Sequence, residues 1–328
     1  MKVAILGAGA WGTALAITLS RSHDLTLWVH DANLFQALFS TKENQAFLPG
    51  IPLPRELILS PDFADSVAHA ELAVVAAPLL ELRNTLRSLR QTAPTLPFLW
   101  VCKGLEANTG LLPHQVAAEE MSDTAPAHGV LTGPSFAEEV ARGLPTAVTL
   151  ASTTADFARR QAQALSSPRL RIYAGSDVVG AEVGGAVKNV LAIAAGICDG
   201  LGLGLNARAA LITRGLAETV RFAVAMGGRR ETLMGLAGMG DLILTCTGDL
   251  SRNRRVGLAL AKGQALADIT RDLGHVAEGV PSAREVARRA RQLNVDMPII
   301  QTVCALLDGA LSAPEAVAHL MSRDTKEE

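Results

Sequence analysis

The chain opens on Gly7-Ala8-Gly9-Ala10-Trp11-Gly12, a segment with the spacing G-x-G-x-x-G. The β-rich run Lys2–Gly7 leads into it and the helical pattern Trp11–Arg21 follows it. In a strand-to-helix turn of this kind, the first glycine permits a tight bend and the second lets a pyrophosphate approach the backbone. The third lets the helix pack on the strand, and the phosphates meet free N–H groups at the helix N-terminus. The segment therefore predicts a dinucleotide-binding site that includes Gly7, Gly9 and Gly12.

An acidic residue follows the second predicted strand, since Asp31 lies 19 residues beyond Gly12. An acid at this place accepts hydrogen bonds from the adenosine ribose hydroxyls and repels a 2′-phosphate, which favours NADH over NADPH. The same residue can also be the N-cap of the helical pattern that begins at Ala32. Both roles are compatible, so both are kept as predictions.

Short β-rich runs alternate with helical patterns through the first half of the chain. This alternation predicts an α/β fold, with a parallel sheet covered on both faces and ligands at the carboxyl ends of its strands. The predicted strands are Lys2–Gly7, Asp24–Val29, Leu72–Ala76, Phe98–Lys103, Gly129–Thr132 and Ala147–Ala151.

Strand signals fade from about residue 178, and helical patterns rich in Ala, Leu and Arg run almost to the end. We therefore predict a Rossmann-type dinucleotide-binding domain over residues 1–176 and an all-α substrate and catalytic domain over residues 177–328. The predicted helices of this second half are Val178–Gly200, Ala207–Met226, Asn253–Lys262, Ser282–Leu293 and Ile299–Leu307.

Composition excludes several classes of protein. Hydrophobic residues make up 49% of the 328 residues and the formal net charge is −2, which disfavours disorder, a nucleic-acid groove and a polybasic membrane patch. The four cysteines lie far apart, which fits reduced thiols and gives no metal framework. No run of about 18 uncharged apolar residues occurs, so we expect no membrane span. We expect a cytoplasmic protein without a metal ion; its assembly is left open, with a homodimer as the candidate.

Lys188 lies in a stretch of Gly, Ala and Val, where an ammonium group is costly unless it is paired or loses its proton. The chain has six lysines against 24 arginines, so a lysine here indicates a need for a group that can release a proton. Reduction of a carbonyl group requires such a proton at the oxygen. The alternative is a lysine whose stem packs on the core while its head reaches water.

Other polar residues stand at predicted turns and helix starts. Lys103, at the end of a predicted strand, can face a phosphate or a carbonyl group, or else lie in solvent. Ser135 and Glu138 have the spacing of a capping box, which predicts a helix that starts at Ser135 and offers its N-terminus to a ligand. Asp241 lies among glycines and can bond a substrate hydroxyl, orient Lys188 or simply form a turn.

The segment Ser251-Arg252-Asn253-Arg254-Arg255 combines a predicted N-cap serine with three arginines at a helix start. Three cations at the positive end of a helix dipole are unfavourable without an anion. The helix N–H groups and Arg252 therefore predict a phosphate site, formed by charge-assisted hydrogen bonds. The alternative is a basic helix face in solvent.

Taken together, the motifs of this chain resemble those of the bacterial NAD(P)-dependent glycerol-3-phosphate dehydrogenase family over essentially the full length. The resemblance is carried by Asn44–Pro49, Cys102–Glu106, Gly133–Ala137, Glu182–Val190, Thr213–Gly215, Gly238–Leu242, Ser251–Asn253 and Glu278–Gly279.

The resemblance implies the reversible reduction of dihydroxyacetone phosphate to sn-glycerol 3-phosphate with NAD(P)H, which supplies glycerophospholipid synthesis. It implies that Lys188 is the proton donor and acceptor. Implied substrate-binding residues are Lys103, Gly133, Ser135, Lys188, Asp241, Ser251, Arg252 and Asn253. Implied cofactor contacts are Trp11, His30, Lys103, Ala137, Arg252, Val276 and Glu278, beside the glycines and Asp31.

Two positions depart from the family pattern. The family often carries an arginine after the position of His30, where this chain has Asp31, and a tyrosine where this chain has Phe47. Two alternatives to this function stay open at this point. One is another two-domain dehydrogenase, of the 3-hydroxyacid or 6-phosphogluconate kind, and the other is a dinucleotide sensor without catalysis.

Overall fold

A computed structural model describes residues Met1–Asp272 and Ala277–Arg323 of the chain. The chain divides into two compact units. The first comprises Met1–Lys103 and Leu111–Val178, and the second comprises Gly104–Gly110 and the chain from Val179 onward. Each unit is described by itself below.

The first unit is built on one sheet with the strand order β3-β2-β1-β4-β5-β6-β7-β8. The strands are β1 Lys2–Leu6, β2 Asp24–Trp28, β3 Ile58–Ser60, β4 Leu72–Val75, β5 Phe98–Trp100, β6 His128–Thr132, β7 Thr146–Ala151 and β8 Leu170–Gly175. The helices are α1 Ala10–Leu19, α2 Ala32–Thr41, α3 Phe63–Val67, α4 Leu79–Thr92, α5 Pro113–Glu120, α6 Ala137–Ala141 and α7 Ala155–Leu165.

Both faces of this sheet are buried at its centre. In β1, Val3 and Ile5 belong to one core cluster, while Ala4 and Leu6 lie on the opposite face and are equally inaccessible. Because successive side chains of a strand point to opposite faces, a strand buried on both faces is a continuous apolar run. This explains why the central strands could be predicted from the sequence.

The predicted α/β fold with an N-terminal Rossmann-type sheet is confirmed, with local corrections. Strand β5 ends at Trp100 rather than at Lys103. Strands β3 and β8 were not predicted, because one has three residues and the other is an edge strand with exposed alternate positions. The sheet is also not wholly parallel, since β6 and β7 pair in antiparallel fashion.

All regular secondary structure of the second unit, over the residues that the structure describes, is helical. Its helices are α8 Val178–Gly200, α9 Gly204–Ala225, α10 Arg230–Leu233, α11 Asp241–Thr247, α12 Arg252–Ala261, α13 Leu266–Asp272, α14 Gly279–Gln292, α15 Pro298–Leu307 and α16 Ala313–Met321. A π-helix, Leu236–Gly240, leads directly into α11. The five predicted helices are present; the short helices, the π-helix and α16 were not predicted.

Helix α8 is buried without interruption from Ala181 to Cys198. It is the one single helix, among the described residues, that is long and apolar enough to cross a membrane, and 89% of its most apolar window is buried inside the protein. A helix that is apolar all round is expected in the interior of a large domain. We therefore describe α8 as the core helix of the second unit.

Candidate active site

The glycine loop between β1 and α1 has the geometry that its three glycines predict. Gly7 has a φ of +124°, and a Cβ atom there would lie 2.9 Å from the Ala76 carbonyl carbon. A Cβ atom on Gly12 would collide with the Gly7 carbonyl oxygen, so the first turn of α1 lies directly against the end of β1. A Cβ atom on Gly9 would meet nothing within 4 Å. The close contacts are thus confined to the first and third glycines, and the second faces open space.

The start of α1 is suited to an anion. Its N-cap residue is Gly9, which supplies no side-chain cap, and the first turn contains no acidic residue. The Thr13 amide bonds the Gly9 carbonyl at 2.9 Å, which leaves the preceding amides of the first turn to other acceptors. Amides arranged in this way at the positive end of a helix dipole suit a pyrophosphate, so the loop fits a dinucleotide. Trp11, in the same turn, is half-buried and packs against the core.

Asn44 holds this loop in place. Its side chain is fully buried, and Nδ2 donates to the Ala8 carbonyl at 2.9 Å and to Thr13 Oγ1 at 2.8 Å. Oδ1 accepts from the Phe47 amide at 3.2 Å. Asn44 belongs to a motif that carried the family resemblance, yet the sequence alone assigned it no role. The structure places it as the side chain that ties the segment after α2 to the glycine loop.

Two polar residues shortly after β2 are accessible to solvent. The Asp31 carboxylate accepts from the Leu34 amide at 2.7 Å, which confirms the predicted N-cap of α2. Asp31 and His30 are both exposed, and the His30 ring lies 5.3 Å from the Trp28 ring. The cap engages one carboxylate oxygen, so contact with a ribose stays a separate prediction.

Further candidate residues follow the carboxyl ends of neighbouring parallel strands, β5 and β6. Lys103 is half-buried and comes three residues after β5. Gly133 follows β6 directly with a φ of +140°, and a Cβ atom there would lie 3.0 Å from Val148 Cα. Because the carboxyl ends of parallel strands share one edge of a sheet, these loops and the glycine loop leave the sheet at the same edge.

The predicted capping box at Ser135 is wrong. Helix α6 begins at Ala137, its N-cap residue is Phe136, and no side chain caps it. The Ser135 hydroxyl instead donates to the Gly133 carbonyl at 3.0 Å, so it folds back on the turn that precedes it. With five residues, α6 is also too short for its N-terminus to be read as an anion site.

The second unit contains a buried polar cluster around Lys188, which lies in the middle of α8. The Lys188 Nζ atom donates to Asp241 Oδ1 in an ion pair and to Thr245 Oγ1 at 2.9 Å. The Lys188 side chain is 10% exposed and that of Asp241 is 1% exposed. The ammonium group is therefore paired within the protein, and only a small part of the Lys188 side chain is accessible to solvent.

Asp241 is not a turn residue, contrary to one of the predicted alternatives. It is the first residue of α11, and Thr245 lies four residues later on the same face of that helix. The Thr245 hydroxyl donates to the Asp241 carbonyl at 2.6 Å. Thr245 was missed in the sequence because no helix was predicted there; with one, the spacing of four would have indicated it.

Close backbone packing brings these groups together. A Cβ atom on Gly184 would collide with the Ala237 carbonyl oxygen, so α8 contacts the π-helix backbone to backbone. A Cβ atom on Gly238 would likewise collide with Leu233. Since α11 continues from the π-helix, this contact sets how near Asp241 comes to Lys188.

Cys246 adjoins the cluster and is fully buried. Burial raises the pKa of its thiol to about 12, although the Lys188 charge acts in the opposite direction. The thiol therefore stays protonated at neutral pH, and we read Cys246 as a packing residue rather than a nucleophile.

The start of α12 has the predicted cap, since Ser251 Oγ accepts from the Arg254 amide at 3.2 Å. Asn253 is buried, and its Oδ1 accepts from the Gly279 amide at 3.0 Å. A Cβ atom on Gly279 would lie 2.7 Å from both Asn253 Oδ1 and the Asn189 carbonyl oxygen. The start of α14 therefore contacts both the start of α12 and α8, and the contact with α8 is at Asn189, the residue after Lys188.

The three arginines of this segment are not equivalent, which corrects the argument made from the sequence. Arg254 pairs with the largely buried Asp199 at 2.8 Å and with the exposed Asp249 at 2.9 Å, so its guanidinium group is already bound to carboxylates of the protein. Arg252 and Arg255 are exposed. Glu278 is the N-cap residue of α14, and Val276, also predicted at the site, lies outside the described residues.

Comparison with known proteins agrees with this geometry. The profile described as NAD-dependent glycerol-3-phosphate dehydrogenase N-terminus matches residues 2–158, and the corresponding C-terminus profile matches residues 177–318. The chain belongs to this family. The resemblance predicted from the motifs is thereby confirmed.

Named relatives in this family match over the whole chain. Proteins called glycerol-3-phosphate dehydrogenase [NAD(P)+] from Aromatoleum aromaticum and Dechloromonas aromatica are 60% and 61% identical to it. The alignments cover 100% of this chain and 100% and 99% of those proteins. The crystal structure of glycerol-3-phosphate dehydrogenase from Coxiella burnetii superposes with a TM-score of 0.94 at 39% identity, covering 98% of this chain and 99% of that one.

As a member of the glycerol-3-phosphate dehydrogenase family, the chain has an N-terminal unit of the dinucleotide-binding kind and depends on NAD(P). Sequence reasoning located the glycine loop, Lys188 and the cap of α12. It missed Asn44 and Thr245. Asn44 contacts the glycine loop from more than 30 residues away in the sequence, and Thr245 lies on α11, a helix that was not predicted.

Proposed function

We propose that this chain is a glycerol-3-phosphate dehydrogenase [NAD(P)+] that reduces dihydroxyacetone phosphate to sn-glycerol 3-phosphate and also runs the reverse reaction. The observation that carries the proposal is a buried lysine, Lys188, paired with Asp241 and hydrogen-bonded to Thr245, in a chain that is 60% identical along its full length to a protein of that name. The product is a phosphorylated alcohol suited to glycerophospholipid synthesis.

Lys188 is the proposed catalytic residue. When bound, the reduced nicotinamide supplies a hydride to the ketone carbon. The Lys188 ammonium group gives a proton to the ketone oxygen, which completes the alcohol, and in the reverse direction the neutral amine accepts that proton. Asp241 and Thr245 hold Nζ in place through the contacts described above, so the proton is presented from one direction.

The substrate phosphate is assigned to the start of α12. The backbone amides of Arg252 and Asn253, which precede the amide that Ser251 caps, offer hydrogen bonds to a dianion, as do the exposed Arg252 guanidinium and the Asn253 side-chain NH₂ group. The remaining proposed substrate-binding residues are Lys103, Gly133, Ser135, Lys188, Asp241 and Ser251.

The dinucleotide is assigned to the first unit. Gly7, Gly9 and Gly12 form the pyrophosphate loop, and the exposed Asp31 carboxylate favours the ribose of NADH over the 2′-phosphate of NADPH. The other proposed cofactor contacts are Trp11, His30, Lys103, Ala137, Arg252, Val276 and Glu278.

We place the boundary between a dinucleotide-binding domain, 1–176, and an α-helical substrate and catalytic domain, 177–328. The limits of the two family profiles support this division. We further propose that the enzyme acts in the cytoplasm on a small phosphorylated substrate, without a nucleic-acid partner, and a homodimer is the candidate assembly.

The test is an assay of NADH and NADPH oxidation with dihydroxyacetone phosphate, 3-oxoacids and unphosphorylated dihydroxyacetone, together with NADP⁺ reduction by 6-phosphogluconate. We expect dihydroxyacetone phosphate to give by far the highest kcat/KM. Faster turnover of an oxoacid or of 6-phosphogluconate would favour the other two-domain dehydrogenases. Binding of NADH without turnover of any substrate would favour a sensor. Neither alternative is supported by the relatives.

A further inference from the structure

Helices α8 and α12 contact each other backbone to backbone. A Cβ atom on Gly196 would collide with the Arg254 carbonyl oxygen, and one on Gly257 would collide with the Ile193 carbonyl oxygen. One turn further along both helices, a Cβ atom on Gly200 would lie 2.5 Å from Ala261 Cβ. Contacts repeated at a spacing of four follow one face of each helix, so they set the distance between the two axes.

A pair of charged side chains closes the same contact. Arg254 Nε and Nη2 reach Asp199 Oδ2 at 2.9 and 2.8 Å, and both side chains are largely buried. Asp199 also accepts from Arg208 of α9 at 3.2 Å through each carboxylate oxygen. Arg254 also contacts Asp249, but the Asp249 side chain is 97% exposed, so this ion pair contributes little to stability.

The pairing fixes the rotation of α12 about its axis. Successive residues of a helix are about 100° apart, so Arg254 and Arg252 lie on nearly opposite faces. With Arg254 turned to Asp199 and Asn253 bonded to the Gly279 amide, Arg252 is left on the exposed face. A rotation of α12 would move the serine cap, Arg252 and the first-turn amides together.

We propose that Arg254 and Asp199 are positioning residues for the phosphate of the substrate. They hold the start of α12 on the core helix that carries Lys188, so the phosphate site and the proton donor keep a fixed spacing. This inference rests on the proposed function. It also reassigns Arg254, which is bound to protein carboxylates and is not itself a ligand of the phosphate.

The experiment compares Arg254→Gln and Asp199→Asn with the wild type, which must first reduce dihydroxyacetone phosphate; failure there would count against the proposed function instead. We expect the KM for dihydroxyacetone phosphate to rise roughly tenfold, ~1.4 kcal/mol, with kcat within about threefold and the KM for NADH unchanged. Arg254→Lys, which keeps the charge opposite Asp199, should recover most of the affinity. Arg252→Ala removes the proposed phosphate ligand itself, and its KM for dihydroxyacetone phosphate should rise further than that of Arg254→Gln.

Two matched controls separate positioning from general disruption. Arg208→Gln removes the other partner of Asp199 without touching α12, and Asp249→Asn removes the exposed partner of Arg254; both should keep a KM near that of the wild type. Unphosphorylated dihydroxyacetone should lose little kcat/KM in Arg254→Gln. An unchanged KM for the phosphorylated substrate would overturn the proposal, as would equal losses for both substrates or an equal loss in Arg208→Gln. If Arg254→Gln does not fold, Asp199→Asn carries the same comparison.

Discussion

The glycine loop and the lysine cluster differ in how far apart their residues lie in the sequence and in which of their groups form the site. Gly7, Gly9 and Gly12 lie within six residues of one another, and they act through backbone shape. Lys188 meets Asp241, 53 residues further along, and Thr245, 57 residues further along, and these residues act through their side chains. A site made of local backbone can be read from a short motif, whereas a site made of distant side chains depends on helix packing.

This difference explains what the sequence could and could not predict. The strand, the glycine spacing and the helix that form the first site are adjacent in the chain, so their joint geometry follows from local rules. Lys188 stood out as a charge in an apolar helix, but its partners did not, because α11 and the π-helix before it carry no clear helical pattern. Arg254 was grouped with Arg252 because Asp199, its partner, is 55 residues away.

Asp241→Asn is expected to disrupt the lysine cluster and to lower kcat strongly. The amide keeps the shape of the carboxylate but leaves the Lys188 ammonium group without its buried counter-charge, so kcat should fall by roughly 10²-fold or more. Steady-state kinetics with dihydroxyacetone phosphate, beside a thermal melt, give the result. Thr245→Ser, which keeps the hydroxyl, is the control and should stay close to the wild type. Full activity in Asp241→Asn would remove the pair from the mechanism.

Gly12→Ala and Gly9→Ala should separate the packing role of a glycine from its binding role. A Cβ atom on Gly12 collides with the Gly7 carbonyl oxygen, so Gly12→Ala should lower both thermal stability and NADH affinity. The Cβ atom of Gly9→Ala meets nothing in the protein, so the melting temperature should stay within a few degrees while NADH binding weakens about tenfold or more. Fluorescence titration and thermal melts measure both quantities. Undiminished NADH affinity in Gly9→Ala would show that no phosphate approaches there.

Glu218, like Lys188, has partners in the helical unit that are distant in the sequence. Its buried carboxylate accepts from the Ile299 and Ile300 amides at 2.8 and 3.4 Å and thereby caps α15. Burial raises the pKa of this carboxyl from 4.5 to about 7, against the effect of those amides. The folded state therefore holds the proton more tightly than the unfolded state does. This contribution to stability is fully present below about pH 4.5 and is lost as the pH rises to about 7.

Glu218→Gln should remove that part of the pH dependence, which amounts to ~3 kcal/mol at most. Urea unfolding of both proteins between pH 5 and pH 8, followed by circular dichroism, gives the two slopes. Wild-type stability should fall with pH more steeply than that of the variant. Parallel slopes would mean that Glu218 does not titrate in this range.

Asp31 is expected to give the smallest effect. Asp31→Asn keeps an N-cap side chain for the Leu34 amide and removes the charge, so stability should change little while kcat/KM with NADPH rises a few-fold relative to NADH. Asp31→Ala should shift the preference similarly but also lose about 1 kcal/mol of cap stability. An unchanged cofactor ratio in both variants would leave Asp31 as a helix cap alone.

Proton exchange between Lys188 and the substrate oxygen is tested by the turnover of Lys188→Arg and Lys188→Met. Arginine keeps the positive charge opposite Asp241 but cannot release a proton, and methionine keeps only the bulk of the side chain. We predict that both variants bind NADH as the wild type does, by fluorescence titration, and that both lose roughly 10²- to 10⁴-fold in kcat for dihydroxyacetone phosphate. A near wild-type kcat in Lys188→Arg would show that a positive charge is enough at this position, and Lys188 would then not be the proton donor.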